Sequence, residues 1–247
     1  MLRARERELE RAAGSVSRGA SFAEALRGPT VGVIAEIKRR SPSKGAINLS
    51  ITAAEQARAY ERGGAAAISV LTEPAHFEGS VEDLISVRAA VGVPVLKKDF
   101  HVEPIQLLEA RAIGASAALL IVRALSPDAL RQMVDTARQL DLEVLVEVRD
   151  EAELARALEA GAEMIGINNR NLETLVIDPA TSERVLGLVP SSVLAVAESG
   201  VASRGDVERA ARWGADAVLV GSVISAAKDP AAAVLALSGV KRVARAG

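Results

Sequence analysis

The sequence contains no cysteine, and that absence excludes several kinds of site at once. Neither a disulfide framework nor a thiolate metal centre can form, and a chain without cysteine is typical of intracellular rather than secreted proteins. Histidine is scarce too, because only His76 and His101 are present, and two histidines without a plausible third ligand argue against zinc. We therefore expect a cytoplasmic protein that holds no metal.

Long apolar runs and a strong net charge are also lacking. No apolar segment reaches the roughly 18 residues that a membrane helix needs. The opening stretch MLRARERELERAAG is charged throughout, unlike a secretion signal. A net charge of −2 favours neither nucleic acid nor an anionic membrane as a partner. With 247 residues, 49% of them hydrophobic, the chain has the size and composition of a single α/β barrel.

One internal repeat organises the chain. The segments YERGGAAAISVLT, ARAIGASAALLIV, ALEAGAEMIGINN and AARWGADAVLVGS each combine a helix end, a glycine, a small linker and an apolar strand. Glycine after a helix supplies the left-handed C-terminal cap. The matching glycines, spaced by 50, 47 and 53 residues, are Gly64, Gly114, Gly161 and Gly214.

Further strands are visible between the copies, as VGVIAEI, VPVLKKD, LEVLVEV and VLAVAES, which makes eight in total. Helical patterns cover 52–62, 81–90, 104–113, 127–140, 151–160, 179–186, 204–212 and 230–237. Strands that alternate with helices indicate parallel pairing with right-handed crossovers. We predict a (β/α)8 TIM barrel over 31–247, preceded by a helical extension over 1–30. The alternative is an open doubly wound sheet, which usually shows a glycine-rich turn after its first strand; none is present here.

Polar residues end nearly every predicted strand. Active sites of such barrels lie at the carboxyl ends of the strands, and residues two apart in a strand share a face. By this parity Lys98 points into the barrel, whereas Lys97 points outward, between the strand end and the helices or into solvent. The residues predicted to line the mouth are two lysines, three glutamates and an asparagine: Lys38, Lys98, Glu36, Glu147, Glu198 and Asn168. Such a mixture can supply general acids and bases.

The loops after the seventh and eighth strands, where barrels of this kind often bind phosphate, read ESGV and VGSVIS. Ser199-Gly200 and Gly221-Ser222 offer small side chains and free backbone N–H groups. A short helix that starts near Ser222 would point its N-terminus at the anion. We therefore predict a phosphorylated small molecule as the ligand.

The segments EIKRRSPSKG, KDF and INNRNL, supported by ISVLTEPAHFEGS and LVEV, resemble indole-3-glycerol phosphate synthase. The resemblance runs from about Val31 to the end of the chain, and AESG and VGS, which are common to phosphate-binding barrels, add little to it. The resemblance implies a barrel lyase of tryptophan biosynthesis without cofactor or metal. Such an enzyme converts 1-(2-carboxyphenylamino)-1-deoxyribulose 5-phosphate to indole-3-glycerol phosphate, with loss of CO2 and water.

The resemblance also implies roles for individual residues. Lys98 matches the general acid at the substrate carbonyl, Glu147 a second proton-transfer group, and Lys38 a lysine that reaches the substrate carboxylate or phosphate. Residues that hold these groups and the sugar hydroxyls are Glu36, Asn168 and Glu198. Substrate and phosphate contacts fall on Ser41, Arg170, Ser199, Gly200, Gly221 and Ser222. The apolar pocket around the aromatic ring falls on Phe77, Leu119, Ile121 and Leu172.

Two other functions remain open at this point. One is a related sugar-phosphate barrel such as phosphoribosylanthranilate isomerase, although that family uses a catalytic cysteine and none is present here. The other is a non-catalytic phosphate-binding barrel, which would be expected to have lost the charges at the strand ends. Whichever of these functions the protein has, we expect it to be a monomer. His101 departs from the family, which usually has an aliphatic residue after KDF.

Overall fold

The structure, a computed structural model, describes residues 2–17, 19–171 and 173–245. Within these residues eight parallel strands close into a barrel. They are β1 (Gly32–Ile37), β2 (Ala67–Leu71), β3 (Val95–Lys98), β4 (Ala117–Ile121), β5 (Glu143–Val148), β6 (Met164–Asn168), β7 (Leu194–Glu198) and β8 (Ala217–Val220). Each strand pairs with its neighbours in chain order, and β8 pairs with β1. The predicted (β/α)8 barrel is confirmed, and the open sheet is wrong.

Helices alternate with these strands. They are α1 (Leu2–Ser15), α2 (Phe22–Leu26), α3 (Ala53–Arg62), α4 (Pro74–Phe77), α5 (Val81–Ala90), α6 (Pro104–Ala112), α7 (Pro127–Gln139), α8 (Glu151–Glu159), α9 (Ala180–Leu186), α10 (Arg204–Arg212), α11 (Ser222–Ser225) and α12 (Pro230–Leu237). The eight predicted helices match α3, α5 to α10 and α12 to within one residue at each end. Among the described residues, no helix has the length and apolarity to cross a membrane.

The repeat glycines have the backbone conformation that the sequence predicts. Their φ angles are 87°, 87°, 82° and 95° for Gly64, Gly114, Gly161 and Gly214. A side chain would be strained in this left-handed region, by about 1–2 kcal/mol. The repeat therefore marks the point at which four of the helices end and turn back into a strand.

Strand parity divides the core into two parts. Side chains that point into the barrel, such as Ile34, Leu96, Leu145 and Val196, form one buried cluster. The alternate side chains pack against the helices in a second, larger cluster. The inward orientation predicted from the sequence is confirmed for these positions.

The amino-terminal end of the barrel is closed by α2. Phe22 and Leu26 are fully buried and belong to the inner cluster. Glu143 at the start of β5 accepts hydrogen bonds from Ser21 Oγ (2.7 Å) and the Phe22 amide (2.5 Å). A carboxylate at a helix N-terminus stabilises the helix, because it meets unpaired N–H groups and the positive end of the dipole. The helix α2 thus fills the inside of the barrel at its amino-terminal end.

Candidate active site

A cleft with about 590 Å³ of unfilled space, partly open to solvent, lies over the carboxyl ends of the strands. Nine of the predicted site residues line it: Lys38, Phe77, Lys98, Leu119, Ile121, Glu147, Asn168, Arg170 and Ser199. Another cleft, of about 660 Å³, lies near Glu143 and Met164 at the opposite end. It contains none of the predicted site residues. The chemistry predicted from the strand ends therefore converges on the first cleft.

Lys98 lies on the floor of this cleft between two carboxylates. Its Nζ is 3.6 Å from Glu147 Oε2 and 3.6 Å from Glu198 Oε2. Burial alone would lower the pKa of Lys98, but the charges of Glu198, Glu147 and Glu36 outweigh it and raise the pKa above its usual value. Lys98 is therefore an ammonium group at neutral pH, and its side chain is 15% exposed toward the cleft.

Glu198 differs from Glu36 because its pKa is raised, whereas the pKa of Glu36 is lowered. It is 2% exposed, and burial raises its pKa. Lys98 opposes that shift, while the neighbouring Glu147 and Glu36 add to it, so that the pKa rises to about 8. Space for this side chain comes from Gly166 on β6, where a Cβ atom would lie 2.1 Å from Glu198 Oε1. The floor of the cleft thus places a carboxyl group of raised pKa beside the Lys98 ammonium group.

Glu36 lies beneath Lys38. Lys38 Nζ is 2.5 Å from Glu36 Oε1, and the Glu36 carboxylate is 1% exposed. Burial raises the pKa of Glu36, but Lys38 and Lys98 lower it by more, so the net shift is downward and Glu36 stays ionised. Lys38 Nζ also lies 6.0 Å from the centre of the Phe77 ring, at the limit of a cation–π contact. Lys38 is therefore anchored from below and faces the cleft.

Asn168 orients Glu147. Its Oδ1 accepts hydrogen bonds from the Arg170 amide (2.9 Å) and from Ser199 Oγ (2.9 Å). Its Nδ2 consequently faces Glu147 Oε1 and donates to it at 3.0 Å. Ser199 has a φ of 64°, which is uncommon outside glycine. Because the Asn168 amide is held in this orientation, Glu147 Oε1 accepts its hydrogen bond, and Glu147 Oε2 lies beside Lys98 Nζ.

Comparison with known proteins identifies the family. A model of the indole-3-glycerol phosphate synthase family matches residues 2–237. The chain belongs to this family. The indole-3-glycerol phosphate synthase of Nocardioides sp. is 54% identical over 209 residues, which cover 85% of this chain and 80% of that protein. The Mycobacterium avium synthase is 50% identical over 227 residues, which cover 92% of this chain and 84% of that protein.

A solved structure of lower similarity supports the fold alone. Thiamine phosphate pyrophosphorylase from Pyrococcus furiosus superposes with a TM-score of 0.64 and 18% sequence identity. The match covers 85% of this chain and 94% of that one.

The remaining predicted residues lie outside the lining of the cleft. Glu36 and Glu198 lie beneath it, and Ser41 is buried in the hairpin of residues 40–41 and 45–46, where its hydroxyl accepts from the Lys44 amide (3.2 Å). Gly221 and Ser222 lie at the start of α11, the short helix predicted after the eighth strand. Gly200 follows Ser199 with a φ of 88°. Leu172 lies outside the described residues.

Four further residues line the cleft without having been predicted: Leu71, Glu73, Asp99 and Phe100. Glu73 caps α4 by accepting from the amides of Ala75 (2.9 Å) and His76 (2.7 Å). A carboxylate directly before Pro74 is a helix-start signal that would have located it. Asp99 and Phe100 directly follow Lys98, so that their proximity to the cleft could have been read from the same motif.

Lys97 has the outward orientation that parity predicts, and it is buried there. The side chain is 2% exposed, and Nζ lies 3.0 Å from Asp99 Oδ2 and 3.3 Å from His101 Nε2. His101 Nδ1 lies 2.7 Å from the Leu119 carbonyl, so Nδ1 carries the proton and Nε2 accepts from Lys97. Burial and the Lys97 charge lower the pKa of His101 to about 4. Among the described residues, no cluster of histidine, aspartate and glutamate is placed to hold a metal ion.

Proposed function

We propose that Lys98 and Glu147 carry out the proton transfers of the indole-3-glycerol phosphate synthase reaction. The activity itself follows from the family: the protein is a carboxy-lyase of tryptophan biosynthesis that acts on a phosphorylated small molecule. The observation that best supports the residue roles is the ammonium group of Lys98, set on the floor of the cleft with carboxylate oxygens at 3.6 Å on two sides.

Ring closure is the first step. The ring carbon that bears the carboxylate attacks the ribulose carbonyl carbon, a C–C bond forms, and the carbonyl oxygen becomes negatively charged. Lys98 stabilises that charge and donates a proton to the oxygen, because a buried, pre-oriented ammonium acts more strongly there than in water. Leu119 and Ile121 supply the apolar surface against which the aromatic ring lies.

Decarboxylation follows without a base. The bond between the ring carbon and the carboxylate breaks, CO2 leaves, and the electron pair restores the aromatic ring. Lys98 is then a neutral amine next to Glu198, whose pKa of about 8 keeps it protonated at neutral pH. We infer that Glu198 returns a proton to Lys98 across the 3.6 Å that separates them.

Dehydration needs an acid and a base. The hydroxyl created by ring closure leaves as water after it accepts a second proton from the restored Lys98 ammonium. Glu147 removes a proton from the neighbouring carbon of the new ring, and the double bond of the indole forms. Asn168 holds Glu147 for this step through the hydrogen bond from Nδ2 to Oε1. One ammonium and two carboxyl groups then suffice for both proton-dependent steps.

Substrate anions are assigned to the other cations of the cleft. Lys38 faces the substrate carboxylate or phosphate, and Arg170 also lines the cleft, although its Nη1 donates to the Leu175 carbonyl (2.8 Å). The phosphate is assigned to the loops with Ser199, Gly200, Gly221 and Ser222. Phe77 covers the aromatic ring, whereas contacts from Ser41 and Leu172 remain predictions.

We further propose a cytoplasmic monomer that binds neither nucleic acid nor membrane, supported by a net charge of −2 and the lack of cysteine. The division into an extension over 1–30 and a barrel over 31–247 also remains a proposal. Sedimentation of the purified protein measures its oligomeric state, and a dimer would contradict the first point.

A fluorescence assay tests the function. Purified protein is mixed with 1-(2-carboxyphenylamino)-1-deoxyribulose 5-phosphate without added metal, and the growth of indole fluorescence is followed. We expect turnover by the wild-type protein and a large loss in Lys98→Met. Turnover of Lys98→Met at the wild-type rate would remove Lys98 from the mechanism, whereas inactivity of the folded wild-type protein would contradict the activity itself.

A further inference from the structure

We propose that Ser225, the last residue of α11, is a positioning residue that fixes Lys38 in the active site. Ser225 is fully buried and does not itself line the cleft. Instead, Ser225 Oγ accepts a hydrogen bond from the Lys38 amide (3.1 Å) and donates one to the Glu36 carbonyl (3.0 Å). The inference rests on the role of Lys38 proposed above.

These two backbone groups lie where β1 loses its neighbour. β1 pairs with β8 up to Ala35 and Val220, and β8 ends there. On its other edge β1 stays paired with β2 as far as Ile37. In a parallel sheet the carbonyl before a residue and the amide after it bond to one partner residue. The Ser225 hydroxyl, as donor and acceptor at once, therefore replaces the missing β8 residue opposite Ile37.

The hydroxyl of Ser225 is itself held by a buried side chain. Tyr60 is fully buried, and its OH lies 3.1 Å from Ser225 Oγ and 3.3 Å from the Glu36 carbonyl. Gln56 Nε2 donates to the Tyr60 OH at 2.9 Å. Burial raises the pKa of Tyr60 to about 12, so the phenol keeps its proton at any working pH. Each donor in this chain has an acceptor, which is the condition under which a buried polar network fixes geometry.

The start of α11 touches the same two residues through their side chains. A Cβ atom at Gly221 would lie 2.6 Å from Glu36 Oε1 and 3.4 Å from Lys38 Nζ. The short helix thus packs against the Glu36–Lys38 ion pair at one end and bonds to the backbone of the same residues at the other. If the Ser225 hydroxyl is removed, the end of β1 is free to shift, and the Lys38 ammonium shifts with it.

A double-mutant cycle tests this. Ser225→Ala, Lys38→Met and the double variant are compared by single-turnover fluorescence. We expect Ser225→Ala to lower the rate by roughly 10- to 100-fold when Lys38 is present, the scale of a displacement of about 1 Å. In the Lys38→Met background it should lower the rate by less than about threefold, because a residue that acts only through Lys38 has nothing left to position. Ser225→Thr, which keeps the hydroxyl, should recover most of the activity.

Two further variants keep the result interpretable. Tyr60→Phe removes the hydroxyl that supports Ser225, and we expect a smaller loss that also disappears in the Lys38→Met background. This variant decides the matter if Ser225→Ala does not fold. Ser116→Ala is the matched control, since Ser116 is also buried and bonds a strand amide, that of Val95 at 3.4 Å, but lies at the opposite end of the barrel. It should retain the wild-type rate.

The outcomes separate this proposal from the proposed function. Equal losses from Ser225→Ala in both backgrounds would show a purely structural role and overturn the positioning role, as would a folded Ser225→Ala at the wild-type rate. A wild-type rate in Lys38→Met would instead remove Lys38 from the mechanism and leave the activity standing. Melting curves on all variants show which of them fold.

Discussion

Replacing each of two adjacent lysines by methionine should lower kcat by very different amounts. Lys98 points into the cleft, between Glu147 and Glu198, and Lys97 points outward to Asp99 and His101. Methionine keeps much of the length and volume of lysine but removes the charge. The two variants therefore test orientation with the same chemical change at neighbouring positions.

The magnitudes follow from what each ammonium does. Losing a general acid costs roughly 10²–10⁴ in rate, or about 2.7–5.4 kcal/mol of barrier, so Lys98→Met should lose that much kcat. Lys97 contacts neither the cleft nor its lining except through Asp99. Asp99 keeps its bonds from Thr72 Oγ1 (2.6 Å) and the Phe100 amide (2.8 Å). Lys97→Met should therefore keep kcat within about tenfold, or about 1.4 kcal/mol.

Stability should not account for the difference. Removing one partner of a fully buried ion pair costs about 3–5 kcal/mol, but Asp99 retains two donors and is 19% exposed, so we expect about 1–3 kcal/mol for Lys97→Met. Lys98→Met leaves Glu147 without its ammonium but with the Asn168 donor, and a similar loss is expected. For a chain of this size such losses lower Tm by about 2–12 °C, since about 1 kcal/mol corresponds to about 2–4 °C.

The assay is steady-state kinetics on both variants with melting curves at the same pH. Folded variants with equal losses in kcat, or a larger loss in Lys97→Met, would refute the assignment. In that case the catalytic ammonium would be the outer one, and parity would be the wrong guide for the end of β3.

Three further predictions concern the carboxylates and the phosphate loop. Glu147→Gln keeps the shape but removes the base, so kcat should fall by roughly 10²–10⁴ with an altered pH–rate profile; wild-type turnover would make Glu147 a spectator. Gly221→Asp places a carboxylate against the phosphate and a Cβ atom 2.6 Å from Glu36 Oε1. Substrate binding should therefore be lost, while the barrel still melts cooperatively. An unchanged KM in the folded variant would contradict this. Glu198 has a folded pKa of about 8, raised from 4.5, so the folded state binds the proton more tightly and stability falls as pH rises from 4.5 to 8. Glu198→Gln should remove this fall, which is up to about 1.4 kcal/mol per pH unit, and identical pH dependence of wild type and variant would show that Glu198 titrates normally.

Secondary structure and barrel closure could be predicted because local signals agreed with one another. Each repeat glycine, helix cap and apolar strand indicates the same unit, and a parallel barrel accommodates eight such units in chain order. The small errors have local causes. At α9, for example, the helix begins at Ala180 instead of Pro179, which is the N-cap residue, and Asp178 Oδ1 accepts from the Ala180 amide (3.1 Å).

Depth within the barrel could not be predicted. The alternation of side chains along a strand predicts that Glu36 and Glu198 point inward. It does not predict that they lie beneath the cleft, whereas Glu147 reaches the surface of the cleft. That ordering depends on the tilt and stagger of the strands, which no single strand encodes. Gly166 was missed for a related reason: it is needed only because Glu198, on the next strand, occupies the space of its side chain.

Burial and charge explain why the pKa of one carboxyl group on this floor is raised. Lys38 and Lys98 carry two positive charges, and Glu36 and Glu147 balance them when ionised. A third ionised carboxylate, Glu198, would leave a net negative charge in a place with little water, and that is costly. It would also repel a substrate that brings both a carboxylate and a phosphate. The raised pKa of Glu198 therefore serves two ends: it lowers the cost of burying five ionisable groups together, and it leaves the floor neutral toward an anionic substrate.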